Sequence, residues 1–348
     1  MDKIARLPAH DRAELFRAAA LQRGTILPTL IEKDFWVCWT LKRVFALENP
    51  SAGLIFKGGT SLSKVYQVTD RFSEDVDLTF DRGALGYGGD NDPAKAGSGK
   101  KTGKKLDELS AACRKMISHE FMPRLEKAFA AALGSPPATG NWQIALAADD
   151  PDLQTILFRY PVGITENDDP AARYLRPAVR LEFGARGEQW PAEDGTVTPY
   201  AAEIIPKPFT EPSCRVKVLA AQRTFWEKAT ILHAYYYWPE GKDFPQRQSR
   251  HYFDLAKLHE KGIGAKALAD LELLKSVARH KSIFFRSAAA QYDKAVPGSL
   301  NLVPPATRRK ELADDYAKMR EMIFGDVPPL DHIFDVLAAL ERTINAKQ

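Results

Sequence analysis

Asp75 and Asp77, one position apart in "DVDLTF" (75–80), are the residue types and spacing most suited to chemistry in this chain. A strand alternates its side chains, so both carboxylates would point the same way, with Cα atoms roughly 6.5–7 Å apart. Carboxylates held side by side repel each other and call for a cation. Mg²⁺ answers that need, because it takes oxygen ligands and keeps positions for waters and substrate phosphates. Taken alone, the same pattern describes the solvated outer face of an amphipathic strand.

The stretch just before it, "FKGGTSLSKVYQ" (56–67), adds context. A Gly58-Gly59 turn at the end of an apolar run lets backbone N–H groups approach a phosphate, and a helix opening at Thr60 adds partial positive charge. Thr60, Ser61 and Ser63 supply hydroxyls, and Lys57 and Arg71 can pair with phosphate charge. A tight turn followed by a Thr-capped helix would use the same residues. In "AVRLEFGA" (178–185), Val179, Leu181 and Phe183 share one face while Arg180 and Glu182 share the other. Glu182 could therefore project beside the aspartates as a third metal carboxylate, or stand on a charged solvent face. Two Mg²⁺ ions bridged by such carboxylates would activate a 3′-hydroxyl and steady a departing pyrophosphate.

Two helical stretches contribute further groups. In "RTFWEKATILHAYYY" (223–237), Phe225, Ala229, Leu232 and Tyr236 form a core stripe, and Lys228 lies beside it. Its ammonium can reach a cleft with the stem buried, although Glu227 and Lys228 can equally be surface charges. In "RQSRHYFDLAKLHE" (247–260), Arg250 and Asp254 stand four apart, the spacing of a helix-surface ion pair.

Other patterns fail on spacing. "AGSGKKT" (96–102) resembles a phosphate-binding loop, but Lys101 replaces the required hydroxyl residue and Ala94 the first glycine. The seven histidines show no HxxxH or HExxH spacing, and Ser61 and Ser63 lack a G-x-S-x-G elbow. The aromatics of "YYYWP" pack a helical core more readily than they stack bases.

The elements that would hold these groups follow from periodicity. Helices are expected over 9–22 and 27–47, a short buried strand at 53–56, a helix at 60–67 with Thr60 as N-cap, and a strand at 75–80. Residues 82–105, rich in Gly, Lys and Asp, read as a flexible surface insertion. Helical patterning resumes over 106–133, a Pro/Gly break follows, and strands appear at 155–162 and 178–185. From about 215 the chain reads as helical, over 218–238, 249–261, 265–280, 281–294 and 308–345. The expected fold is α/β (α+β), a mixed sheet with flanking helices followed by an α-helical C-terminal half. The expected domains are 1–212 and 213–348.

With 348 residues, 45% hydrophobic, the chain can bury a core without disulfide or structural metal. Cys38, Cys113 and Cys214 form no CxxC pair, which suits a reducing compartment. The N-terminus lacks a signal-peptide core and no apolar run reaches membrane-spanning length, so a cytoplasmic location and no membrane partner are expected. A net charge of +4 permits nucleic-acid or nucleotide contact without demanding it.

"KGGTSLSKVY…DRFSEDVDLTF" resembles the signature of the AbiEii/AbiGii toxin family of nucleotidyltransferase-fold proteins, within the DNA polymerase β superfamily. "LIEKDFWVCWTL" (30–41), "RTFWEKATILHA" (223–234), "RHYFDLAKL" (250–258) and the stretch 314–345 resemble further elements of that family, with 82–150 the least covered. The resemblance assigns the glycine/hydroxyl turn to Gly58, Gly59, Thr60 and Ser61, and the metal carboxylates to Asp75 and Asp77. It makes Lys228 the phosphate-binding lysine and Asp254 the later acidic residue, while His251 stands where the family pattern has an aspartate.

The resemblance implies an NTP-dependent nucleotidyltransferase using Mg²⁺, the toxin of a toxin–antitoxin or abortive-infection system. NMP would pass to an RNA (tRNA) 3′-end or a protein hydroxyl, and a cognate antitoxin would be encoded nearby, with or without direct contact. Lys100, Lys101, Lys104 and Lys105 could steer an anionic acceptor. The alternatives are a kinase-like phosphotransferase on the same fold and a catalytically silent nucleotide- or RNA-binding regulator.

Overall fold

The computed structural model describes residues 1–47, 53–134, 142–165, 167, 169 and 175–347. The chain opens with α1 (Asp2–Ala5), α2 (Ala9–Arg23) and α3 (Pro28–Ala46), followed by β1 (Leu54–Lys57), α4 (Gly58–Lys64) and β2 (Asp75–Phe80). Next come α5 (Gly99–Lys115), α6 (Met122–Leu133), β3 (Gln143–Leu146), β4 (Thr155–Arg159) and β5 (Ala178–Gly184). β6 (Ala192–Val197), α7 (Tyr200–Ile204) and β7 (Cys214–Leu219) complete the first part. The rest is helical: α8 (Ala221–Tyr236), α9 (Ser249–Glu260), α10 (Ile263–Leu268), α11 (Leu271–Phe284), α12 (Arg309–Met319) and α13 (Leu330–Asn345).

The strands form one mixed sheet in the order β3-β4-β5-β2-β1-β7-β6, which places the aspartate strand β2 at its centre. β2 runs antiparallel to β1 and parallel to β5. The register sets Asp77 opposite Lys57 on one side and opposite Glu182 on the other. Alternation does the rest. Val76, Leu78, Val179 and Leu181 are buried on one face of the sheet, which leaves Asp75, Asp77 and Glu182 on the other.

Helix α3 packs under the apolar face and is buried almost all round. Trp36 and Trp39 meet Phe158 in edge-to-face and stacked contacts, respectively, with ring centroids 5.9 and 5.6 Å apart. Its buried charges are all paired, as burial of a charge requires. Glu32 accepts the N–H groups of Gly163 and Ile164, Asp34 pairs with Lys64 at 2.8 Å, and Lys33 pairs with Glu74 at 2.7 Å. The last two tie α3 to α4 and to the residue preceding β2.

A second apolar cluster fills the helical part, built from α8 to α13 and joined by Leu62 and Val68. Phe56, Val76 and Leu78 belong to the first cluster, so the segment after β1 lies at the seam between the two. Across that seam, Phe72 N–H donates to Met322 O and Phe324 N–H to Asp70 O, both at 2.7 Å, with Arg71 bridging Ile323 in β fashion.

Several expectations are corrected. β7 carries alternating Val216 and Val218 between Arg215 and Lys217 and pairs with β1, so a division at 212/213 passes through the sheet. β3 and β6 were likewise not anticipated. Residues 82–105 are not a loop throughout: short helical turns occupy 83–87, 89–91 and 93–95, and α5 begins at Gly99 with Ser98 accepting the Lys101 N–H. α4 starts at Gly58 after Lys57, so Thr60 lies inside it and is not its N-cap. The expected helix at 281–294 stops at Phe284, and the one over 308–345 is divided in two, with Pro328 and Pro329 in the break. Most of the Pro/Gly break after Leu133 lies outside the described residues. Among the described residues, no helix is long and apolar enough to cross a membrane.

Candidate active site

The polar face of β2 and β5 looks onto one face of α8 and the start of α9, and a cavity lies between them. Lys57, Gly58, Gly59, Arg71, Ser73, Asp75, Asp77 and Glu182 line one side; Thr224, Glu227, Lys228, Ile231, Arg250 and His251 line the other.

The Gly58-Gly59 turn is required by contact. Gly58 sits at φ +79°, and a Cβ there would stand 1.8 Å from Asp77 Oδ2. A Cβ on Gly59 would stand 2.7 Å from Arg71 Nη2 and 2.9 Å from Ser73 Oγ. The two glycines therefore let the turn lie against the aspartate and arginine of the site. The hydroxyls beside them point elsewhere. Thr60 Oγ1 donates to the carbonyl oxygens of Ser73 and Asp75, and Ser61 Oγ to Gly58 O at 2.8 Å. Neither residue lines the cavity; they fasten the turn to the β2 entry.

The carboxylates repel one another. Burial and then Glu74 raise the Asp75 carboxyl above its ordinary value; burial and then Asp75 do so for Asp77, against the pull of Lys57. Glu182 is pushed up to about 6 by burial and by the charges of Asp75 and Asp77. Arg180 offsets part of this, with Nε 3.9 Å from Asp75 and 3.4 Å from Glu182. Among the described residues, no group of three or more His, Cys, Asp or Glu side chains is arranged to hold a metal ion. The donor chemistry nevertheless fits a hard cation: three oxygen-donor carboxylates share one wall, and burial first, then neighbouring carboxylates, raises the cost of ionising them without a cation.

The cationic side is held from behind. Asp254 is fully buried and does not line the cavity. Its Oδ1 accepts from Arg71 Nε at 2.7 Å, and its Oδ2 accepts from Arg71 Nη2 and Lys228 Nζ, both at 2.8 Å. Burial opposes ionisation of this carboxyl, but the two cations outweigh it and hold it well below the carboxylate range. Asp254 thus pairs across the seam with Arg71 rather than with Arg250 on its own helix. His251 Nδ1 lies 3.5 Å from Lys228 Nζ, and burial, Lys228 and Arg250 keep its imidazole neutral. Lys57 has no ion pair among the described residues. Two donors on the cavity wall, Arg250 Nε and Thr224 Oγ1, are buried without a hydrogen-bond partner among those residues.

The structure thus brings Lys57, Gly58, Gly59, Arg71, Asp75, Asp77, Glu182 and Lys228 into one cavity, with Asp254 behind it and the Thr60 and Ser61 side chains turned away. Thr224, Glu227 and His251 were not singled out as cavity residues by sequence reasoning. The signal was present in the 224, 227, 228, 231 spacing, the second face of a helix whose first face is the Phe225-Ala229-Leu232 stripe.

Comparison with known proteins adds three findings. The family described as "Nucleotidyl transferase AbiEii toxin, Type IV TA system" matches residues 39–340. No curated protein matches the sequence. Among solved structures, the nucleotidyltransferase toxin MenT4 from Mycobacterium tuberculosis H37Rv is 14% identical, with 88% of this chain and 99% of that one covered and a TM-score of 0.39.

Proposed function

The chain belongs to the AbiEii family of type IV toxin–antitoxin nucleotidyltransferase toxins, and from that premise we propose that it moves NMP from an NTP onto an RNA or protein hydroxyl in a Mg²⁺-dependent reaction. The observation that carries this reading is the shared cavity: a carboxylate wall adjoins the Gly58-Gly59 turn and Lys57 and faces Lys228 across the cavity.

Asp75, Asp77 and Glu182 would hold the divalent cation, which when bound neutralises triphosphate charge and makes an acceptor hydroxyl more acidic. Lys57, Lys228 and the Gly58-Gly59 backbone grip the β- and γ-phosphates, and Arg250 and Thr224 offer their unpartnered donors. Arg71 is oriented by Asp254 toward the turn and the aspartates. The acceptor hydroxyl loses its proton to solvent and attacks the α-phosphorus, the bond from that phosphorus to the α,β-bridging oxygen breaks, and pyrophosphate departs still held by the lysines. Asp254 is a positioning residue in this scheme, and neutral His251 accepts a hydrogen bond from Lys228.

An anionic acceptor such as tRNA is favoured by a second opening at Asp75 and Glu182. Arg159, Arg176, Arg180 and Arg247 line it; Arg176 and Arg180 pair with Asp149 and Arg247 with Glu74, so a phosphate backbone would compete with those carboxylates for them. Lys100, Lys101, Lys104 and Lys105 belong to α5 and would steer from farther away. The partners of the reaction are then NTP and RNA, with the antitoxin as the regulator that membership of a toxin–antitoxin system entails.

Incubation of total tRNA and of cell protein with NTP labelled at the α- or γ-phosphate tests the proposal. Label from the α-position on RNA or protein is the expected result. Transfer of γ-label alone would make the chain a kinase, and no transfer of either would leave a binding protein.

A further inference from the structure

A third cavity at the same aspartate has a volume of about 400 Å³, and neither Lys57 nor Lys228 lines it. Its walls come from three parts of the chain: Leu27 and Leu30 at the start of α3, Gln246 and Arg247 before α9, and Met319 and Met322 at the end of α12. Arg71, Ser73, Asp75 and Arg250 line both this cavity and the phosphate-gripping one, so the two adjoin at Asp75.

The three openings at Asp75 differ in chemistry. One carries the glycine turn and lysines, one carries arginines, and this one has an aliphatic and thioether wall with polar groups at its edge. A flat ring with apolar faces and a polar rim suits the last of these, and its volume lies within the range of about 300–1,000 Å³ usual for small-ligand sites. Methionine side chains adapt to aromatic faces through flexible stems and polarisable sulfur. Asp315 is not available to a ligand: it accepts the N–H groups of Arg247 and Ser249 at 2.5 and 2.8 Å. Those bonds hold Arg247 at φ +63°, where its side chain pairs with Glu74 at 3.1 Å between the apolar and arginine-lined openings. Among the described residues the Gln246 amide makes no side-chain hydrogen bond, which leaves a donor and an acceptor for a ring edge.

We propose that this cavity receives the nucleoside of the NTP, with the base against Leu30, Met319 and Met322 and its edge toward Gln246. The inference rests on the nucleotidyltransferase reading above and names the part of the site that recognises the base. A nucleotide with its α-phosphate at Asp75 then extends its triphosphate toward Lys57 and Lys228 and its nucleoside the other way. The wall exists because residues 322–324 are hydrogen-bonded to the 70–72 loop, so base recognition depends on the C-terminal helical part.

The test is calorimetric titration of the full chain with each of the four NTPs and with inorganic tripolyphosphate, all with Mg²⁺. The variant carries Leu27→Asn and Met322→Gln; Leu27 is 47% exposed, and the seam bond of Met322 to Phe72 uses its backbone carbonyl, which the substitution keeps. The preferred NTP is expected to bind about tenfold more weakly, with tripolyphosphate unchanged. Unchanged NTP affinity would overturn the inference, and so would equal weakening of both ligands, since the effect would then lie in the phosphate grip. If the wild-type chain bound neither NTP nor tripolyphosphate, the nucleotide-site reading itself would fall.

Discussion

Asp254 and Arg71 meet through two parallel hydrogen bonds, 2.7 and 2.8 Å long, across the seam between the helical part and the sheet. The same carboxylate takes Lys228 at 2.8 Å, so one fully buried anion orients two cations of the candidate site. Removing it leaves both cations buried without their partner. Asp254→Asn is therefore expected to cost about 3–5 kcal/mol of stability at neutral pH in urea unfolding. The pH sign follows from the depressed carboxyl: its contribution is complete above the unfolded value of about 3.9 and is lost as pH falls through the folded one. The gap between wild type and variant should accordingly narrow in acid below about pH 4. A gap that stays constant there would show that Asp254 does not act through its charge.

Asp77 behaves in the opposite way. Its carboxyl is raised, burial first and Asp75 among the added causes, so the folded state holds the proton longer than the unfolded one. Stability then declines as pH rises from about 3.9 through the folded value, and the full cost of ionisation is present above both. Asp77→Asn should raise metal-free stability by about 1 kcal/mol while lowering nucleotidyl transfer by a factor of about 100 or more. A destabilised Asp77→Asn would mean that this carboxylate is chiefly structural.

The two glycines of the turn should not be equivalent. Alanine at Gly58 meets an adverse φ and overlaps Asp77 Oδ2, which belongs to a carboxylate fixed on a central strand. A loss of about 1–3 kcal/mol is expected from backbone strain alone, together with loss of transfer activity as Asp77 is displaced. Alanine at Gly59 meets the end of the Arg71 side chain, so a smaller stability loss with a weaker grip on NTP is expected. Equal stabilities for Gly58→Ala and wild type, measured by thermal unfolding, would refute the close approach.

The central part of this site was legible because period-2 alternation is local. "DVDLTF" and "AVRLEFGA" state their own faces, and the parallel pairing in the structure then sets Asp77 beside Glu182. The strand at 214–219 was missed although it alternates too, because helical periodicity begins immediately after it and absorbed its last residues. Asp254 was chosen from the family pattern, yet its partner lies 183 positions away, and no helical spacing can report a contact across a seam. For the same reason Arg250, read as the i−4 partner of Asp254, instead lines the cavity. Thr60 and Ser61 carry the right chemistry for a phosphate, but their hydroxyls were nearer to backbone carbonyls than sequence could tell.

Lys281 offers the last test, because it is a buried ammonium behind the site. Its Nζ donates to the Glu227 carbonyl at 2.8 Å, and burial, followed by Lys57 and Lys228 against the pull of Glu227, lowers its pKa to about 7. The unfolded chain keeps that proton until about pH 10.4, so between those values the unfolded state binds more protons than the folded one. Stability must then rise with pH across the window, at up to about 1.4 kcal/mol per pH unit from this group. Lys281→Met removes the titrating group, and its unfolding free energy should lack that rise. Urea unfolding at intervals from pH 7 to 10 reads the difference directly, and parallel curves for the two proteins would show that Lys281 keeps its charge when folded.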